Sequence, residues 1–215
     1  MKKRAQAASV IRGEDGPTAV FIVSKDAKLT LRQKLERFKN KIKRFYVERT
    51  IRCESHTLDE VMEYLVNHHG FVEAEGIENT EEYREVRASF IIQYAPELLG
   101  EYAVIPKLKS KSNEDIQAYL KQTQAQIQRA MEVPKEQFDI DFYKFKKEFK
   151  DKNSNIEITI EKKYAYIGGG AGGSKKVIRE FKRIEKDVYR YYGVTQEDIK
   201  EKSDRYQELV RTLIQ

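Results

Sequence analysis

Residues 138–161 read FDIDFYKFKKEFKDKNSNIEITIE, and the fold turns on this stretch. Phe138, Ile140 and Phe142 alternate with Asp139 and Asp141. Beyond the turn-like KDKNSN, Ile156, Ile158 and Ile160 alternate with Glu157, Thr159 and Glu161. A period of two places the apolar side chains on one face of a strand. The pair predicts an antiparallel hairpin with one buried face. The second strand is expected to run on through KKYAYI to Ile167.

Almost everything around this hairpin has helical spacing. Leu31, Leu35, Phe38, Ile42 and Phe45 step by four, three, four and three, which predicts one long amphipathic helix over 28–52. Thr57-Leu-Asp-Glu60 is a capping box and opens a helix to His69, with Gly70 as the stop. Asn79-Thr-Glu-Glu82 opens another, with Tyr83, Val86, Phe90, Ile91 and Tyr94 on its apolar side and Pro96 as its end. Ser112 caps a Gln-rich helix to about Val133, with loop before it over 101–111. Two helices close the chain, about 174–192 and 196–214, with Gly193 between. Near the start, 17–24 reads as a short strand. The expected architecture is α+β: a small antiparallel sheet with several helices packed on one face, plus the long basic helix near the N-terminus. One domain over 1–215 is expected, with 25–52 as a candidate arm.

The 215 residues are enough for one sizeable core, and the charged fraction is 35%. The net charge of +6 is uneven. Residues 25–52 hold eleven basic and three acidic residues, a net of +8; residues 1–24 contribute +2 and residues 53–215 contribute −4. One cysteine, Cys53, excludes an internal disulfide and suits a reducing compartment. No stretch approaches the ~20 apolar residues of a transmembrane helix. Arg12, Glu14 and Asp15 interrupt what would be the core of a signal peptide. The expected setting is cytoplasmic.

Several residue sets invite a functional reading. The glycine tract IGGGAGG, 167–173, stands between a strand and a helix. It satisfies Gly-x-Gly-x-x-Gly at Gly168, Gly170 and Gly173, followed by Ser174, Lys175 and Lys176. A glycine loop feeding a helix N-terminus is the arrangement that cradles phosphate. Yet the order Gly-Ser-Lys is not the Gly-Lys-Ser/Thr of a P-loop, and the preceding strand is half charged rather than buried on both faces. The main expectation is therefore a flexible connector, and the alternative function is phosphate or nucleotide binding through Gly168–Gly173 and Lys175/Lys176. Cys53, His56, His68 and His69 are all the Cys and His of the chain. A helix over 57–69 holds its ends ~18 Å apart, too far for one ion, so no metal site is expected. Asp139 and Asp141 share one side of a strand and read as a solvated face. No nucleophile–base constellation is present, so no catalytic residue and no cofactor is expected.

The basic helix 28–52 carries the preferred function. Its apolar stripe either packs on the body as a core face or docks on a partner protein or a second copy. Its cations, with Arg32, Lys39, Lys43 and Arg44 as the named candidates, also suit acidic lipid or nucleic-acid phosphates, although no DNA or RNA motif accompanies them. The reading is a non-catalytic binding or interaction protein.

One stretch resembles a known motif. Ile11-Arg-Gly-Glu-Asp-Gly-Pro-Thr-Ala-Val-Phe is similar, over residues 11–21, to a Gly-Gly-Ala-Asp-Gly-Pro-Thr segment of the β subunit of sodium-translocating decarboxylases. Gly13, Asp15, Gly16, Pro17 and Thr18 are kept; Arg12 and Glu14 differ. In that family the Asp belongs to the ion pathway, which makes Asp15 a candidate cation or partner contact. The family spans the membrane many times and this chain has no span, so the resemblance implies no ion pumping. The whole chain also resembles small bacterial proteins with the same opening. In physical terms Asp15-Gly16-Pro17 is a turn that launches a strand.

Overall fold

The computed structural model describes residues 10–13, 16–20, 30–104, 106–108, 110, 112–150 and 153–215. Contacts divide the chain into two units that part between Thr50 and Ile51.

In the first unit, strands β1 (Val10–Gly13) and β2 (Gly16–Val20) pair antiparallel, with a bulge between Ile11 and Arg12. The expected strand at 17–24 thus has a partner for which its own pattern held no signal. Asp15 lies outside the described residues. Helix α1 spans Leu31–Thr50. Thr30 and Gln33 cap it reciprocally: the Gln33 N–H donates to Thr30 Oγ1 and the Thr30 N–H to Gln33 Oε1, at 3.3 and 2.9 Å.

The second unit has the expected α+β character. Strand β3 (Glu54–Ser55) is followed by helix α2 (Leu58–His69), strand β4 (Val72–Glu73) and helix α3 (Glu81–Tyr94). A 3-10 stretch over Pro96–Ala103 replaces part of the loop expected at 101–111, and helix α4 (Asn113–Met131) follows. Strands β5 (Phe142–Glu148), β6 (Asn155–Glu161) and β7 (Tyr166–Gly172) lead to helix α5 (Lys175–Tyr192), strand β8 (Gly193–Val194), and helices α6 (Gln196–Glu201) and α7 (Asp204–Ile214). β4-β5-β6-β7 form one antiparallel sheet in that order; β3 and β8 pair separately.

Local chemistry accounts for most boundaries. Thr57 and Glu60 complete their capping box on α2, and Gly70 turns left-handed at φ 66° to end it. Thr80, Ser112 and Ser174 each accept the N3 backbone N–H of the helix they open.

The register places Tyr143 and Phe145 opposite Ile160 and Ile158, and these opposite Ile167 and Gly169. Phe145, Ile156, Ile158 and Ile160 are buried there. α5 lies on this face. Its Tyr189 hydroxyl donates to the Ile167 carbonyl at 2.8 Å, and Glu180 accepts from Lys147 at 3.1 Å. A second apolar cluster joins α3 and α4 to the segment leading into β5, through Tyr83, Phe90, Ile91, Leu99, Ala130, Val133, Phe138 and Ile140.

Three expectations are corrected. The strand expected from Phe138 starts at Phe142 instead. Phe138 and Ile140 are buried, but the Arg87 guanidinium takes the Phe138 carbonyl at 2.7 Å, a bond that a ladder partner would otherwise make. Asp139 and Asp141 therefore do not lie on a strand; they face Lys135 and Lys162 at 3.9 and 3.8 Å. The single strand expected up to Ile167 breaks at 162–165. There the buried Glu161 carboxylate accepts the Asp141 and Tyr164 N–H groups at 2.9 and 2.6 Å, and Ala165 turns to φ 52°. The helix expected at 196–214 is two helices. Lys202 adopts φ 51°, and Ser203 ends the first by bonding Asp198 and caps the second.

Candidate functional site

The glycine tract is not a loop. Gly168–Gly172 form most of β7, paired residue by residue with Thr159–Asn155 of β6. Extended strand backbone points successive N–H groups to opposite edges, so they do not converge on one anion. Close packing explains most of the glycines. A Cβ on Gly168 would fall 2.2 Å from the Tyr166 hydroxyl. One on Gly169 would fall 2.6 Å from the Glu157 carbonyl and 3.2 Å from Phe181 on α5. Gly173 takes φ 112° tight against Ser154, while Gly170 alone of these has open space around it. The recess beside Gly168 and Gly169 has room for about one water and is lined by Ile158, Phe181, Val188 and Glu185. Burial raises the Glu185 carboxyl above its usual range. This lining is apolar and acidic, the wrong chemistry for phosphate. Ser174 caps α5, and Lys175 and Lys176 stand exposed on its first turn.

Of the candidate interaction residues, Arg32, Lys39, Lys43 and Arg44 lie on α1, and Asp15 is outside the described residues. The helix buries none of its residues. Leu31, Leu35, Phe38, Ile42 and Phe45 are 84, 53, 60, 43 and 51% exposed, so no described residue of their own unit covers the stripe. Arg32, Lys39, Lys43 and Arg44 are exposed around it. Lys39 pairs with Glu36 at 3.4 Å and Arg44 with Glu48 at 2.7 Å. Arg49 covers the Phe45 ring at 4.1 Å.

The three histidines meet around Tyr64 and Tyr191. His56, Tyr191, Tyr64 and His68 stack in that order, with ring centroids 3.9, 4.0 and 4.5 Å apart. The His56 Nδ1 lies 2.6 Å from the Tyr191 carbonyl. Tyr64 donates to Asp187 Oδ2 at 2.7 Å, and His69 Nε2 lies 3.1 Å from the same oxygen. Burial, aided by Asp187, pushes the Tyr64 hydroxyl up to about 12. Burial holds the His69 ring below the usual imidazole value against the opposing pull of Asp187. Cys53 is an exposed free thiol. Among the described residues no group of three His, Cys, Asp or Glu side chains is placed to hold a metal ion. The ladder ties α2 to α5 by ring stacking and one shared carboxylate. Sequence reasoning missed it because its partners lie more than a hundred residues apart.

A second charged cluster lies on the opposite side of the sheet from α5. Lys144 is buried, with Glu82 at 2.6 Å and Glu157 at 2.8 Å. Burial alone would lower its pKa, but the bonds to Glu157 and Glu82 outweigh it and the value rises. The ammonium thus stays protonated, which fits a structural clamp rather than a base.

Residues 31–83 match the model of the Clr5 domain. This Clr5-like segment begins at the first residue of α1 and takes in α2 before ending at Tyr83, early in α3. The sheet, α5 and the helices after it lie beyond the match. Comparison with curated proteins and with solved structures gives no match. Among the described residues no helix is long and apolar enough to cross a membrane.

Proposed function

We propose that this chain is a non-catalytic binding protein that engages another protein through α1. One observation carries the reading: a 20-residue helix with a continuous Leu/Phe/Ile stripe and no buried residue. Burying such side chains contributes ~1.5–3 kcal/mol each, so four of them supply a useful interface. The 4-3-4-3 spacing is that of a helix presented to another helix. α1 carries eight basic and two acidic residues, a net of +6. Two copies set side by side would repel, so the fitting occupant is an amphipathic helix with acidic flanks. The exposed thiol of Cys53 suits a reducing, cytoplasmic setting.

The test uses the full chain and a synthetic helical peptide with leucines at heptad spacing and glutamates on the flanks, followed by anisotropy. Binding is expected, and the double substitution Phe38→Ser/Ile42→Ser is expected to weaken it by about 10–100-fold. Unchanged affinity in that variant, or no binding, overturns the reading. Sedimentation of the chain alone checks the rival occupant: dimerisation abolished by the same double substitution replaces the acidic partner with a second copy.

A further inference from the structure

We propose that the outer face of α5 binds the phosphate backbone of a double-stranded nucleic acid. This site is separate from α1 and rests on different observations. α5 carries Lys175, Lys176, Arg179, Lys182, Arg183, Lys186 and Arg190. At 100° per residue these seven fall within an arc of ~120°, centred opposite the buried Val177, Ile184 and Val188. Six are exposed and Lys186 is half-buried. None is in an ion pair with another described residue.

The acidic residues of α5 lie outside that arc and are engaged elsewhere. Glu180 bonds Lys147, and Asp187 bonds Tyr64 and faces His69. Glu185 is half-buried, and burial raises its pKa. The positive face is therefore uninterrupted.

Its length and stiffness fit a duplex. Lys175 to Arg190 covers ~22 Å at 1.5 Å per residue, or about six phosphates along one strand at ~3.4 Å each. The helix is held from below by the Tyr189–Ile167 and Glu180–Lys147 bonds, so little order remains to be imposed on binding. An anionic bilayer fits less well, because an interfacial helix needs an apolar face to insert. Here that face is already buried in the sheet contact, and Ile178 is the one exposed large apolar residue on α5. On α1, by contrast, the cations spread over a wide arc around an exposed apolar stripe and two pair with glutamates.

The test is fluorescence anisotropy of the full chain with 24-base-pair mixed-sequence DNA and RNA duplexes across a potassium chloride series. Five to seven phosphate contacts predict a slope of log K against log salt of about −5 to −6. Replacing Lys182, Arg183, Lys186 and Arg190 by Gln should make the slope shallower by about 3–4 and lower affinity at least tenfold near 0.1 M salt. Lys182→Gln and Arg183→Gln alone, each one exposed side chain, should each remove about 0.9 from the slope. The α1 set Arg37→Gln/Lys41→Gln/Lys43→Gln/Arg44→Gln should leave it unchanged. An unchanged slope in the α5 set, or loss confined to the α1 set, overturns the proposal. So does binding to phosphatidylserine vesicles without binding to either duplex.

Discussion

Arg87 offers a stringent test of how the second unit is held together. It sits on α3 and is almost fully buried. Its Nε donates to the Phe138 carbonyl at 2.7 Å, and one terminal nitrogen donates to the Val133 and Pro134 carbonyls at 2.8 and 2.6 Å. These three carbonyls lie on the segment joining α4 to β5, so one side chain pins the entry to the sheet against α3. Arg87→Met keeps most of the apolar stem and removes every donor. Val133 and Phe138 are buried and Pro134 is exposed, so water can rescue the last carbonyl alone. Two bonds from a charged donor contribute ~1.5–3 kcal/mol each. Removing the buried charge returns part of its desolvation cost. The net loss is about 3 kcal/mol, or a fall in Tm of roughly 6–12 °C for a chain of this size. Urea unfolding and thermal melts by circular dichroism measure both quantities. Arg87→Lys, whose ammonium has no planar fork, should recover less than half of the loss. A loss below about 1 kcal/mol for Arg87→Met would refute the argument that these carbonyls depend on the guanidinium.

Two further predictions address the glycine strand and the ring ladder. Gly169→Ala should destabilise by about 1–3 kcal/mol, because its Cβ would meet the Glu157 carbonyl at 2.6 Å, whereas Gly170→Ala should be neutral or slightly stabilising; equal effects in urea unfolding would contradict the packing account. For His69, the unfolded ring takes a proton at about 6.5 and the folded ring at a lower pH, so the unfolded state binds more protons in between. Stability is therefore expected to fall as pH drops below about 6.5. His69→Gln should show a smaller difference in urea midpoint between pH 7.5 and 5.0 than the parent chain, and an equal difference would rule out the ring as a source.

The sequence by itself determined the elements whose signals close within a few residues. Thr57 with Glu60, Thr195 with Asp198, and the caps at Ser112 and Ser174 each set a helix start through bonds spanning three positions, whereas α3 is capped by Thr80, one residue beyond the expected Asn79. Gly70 and Gly193, both at positive φ, mark two helix ends for the same local reason. The stripe on α1 and the alternation in β6 were equally legible, because periodicity is a property of neighbours.

Tertiary structure decided the rest. The turn at 162–165 contains no Gly, Pro, Asn or Asp; the Glu161 carboxylate makes it by collecting N–H groups from Tyr164 and from the distant Asp141. Five glycines in the six residues 168–173 read as a loop. They form an edge strand paired with β6, in which the Tyr166 hydroxyl and the Glu157 carbonyl stand closer to Gly168 and Gly169 than a Cβ would allow. The basic face of α5 was hidden in the sequence by residues such as Glu180 and Asp187, which cancel charge in a linear sum. In three dimensions Lys147, Tyr64 and His69 engage those carboxylates on the flanks and leave the cations alone on the outer surface. Whether the α1 stripe is core or surface was also beyond the sequence, since the same spacing serves either until packing leaves one side uncovered.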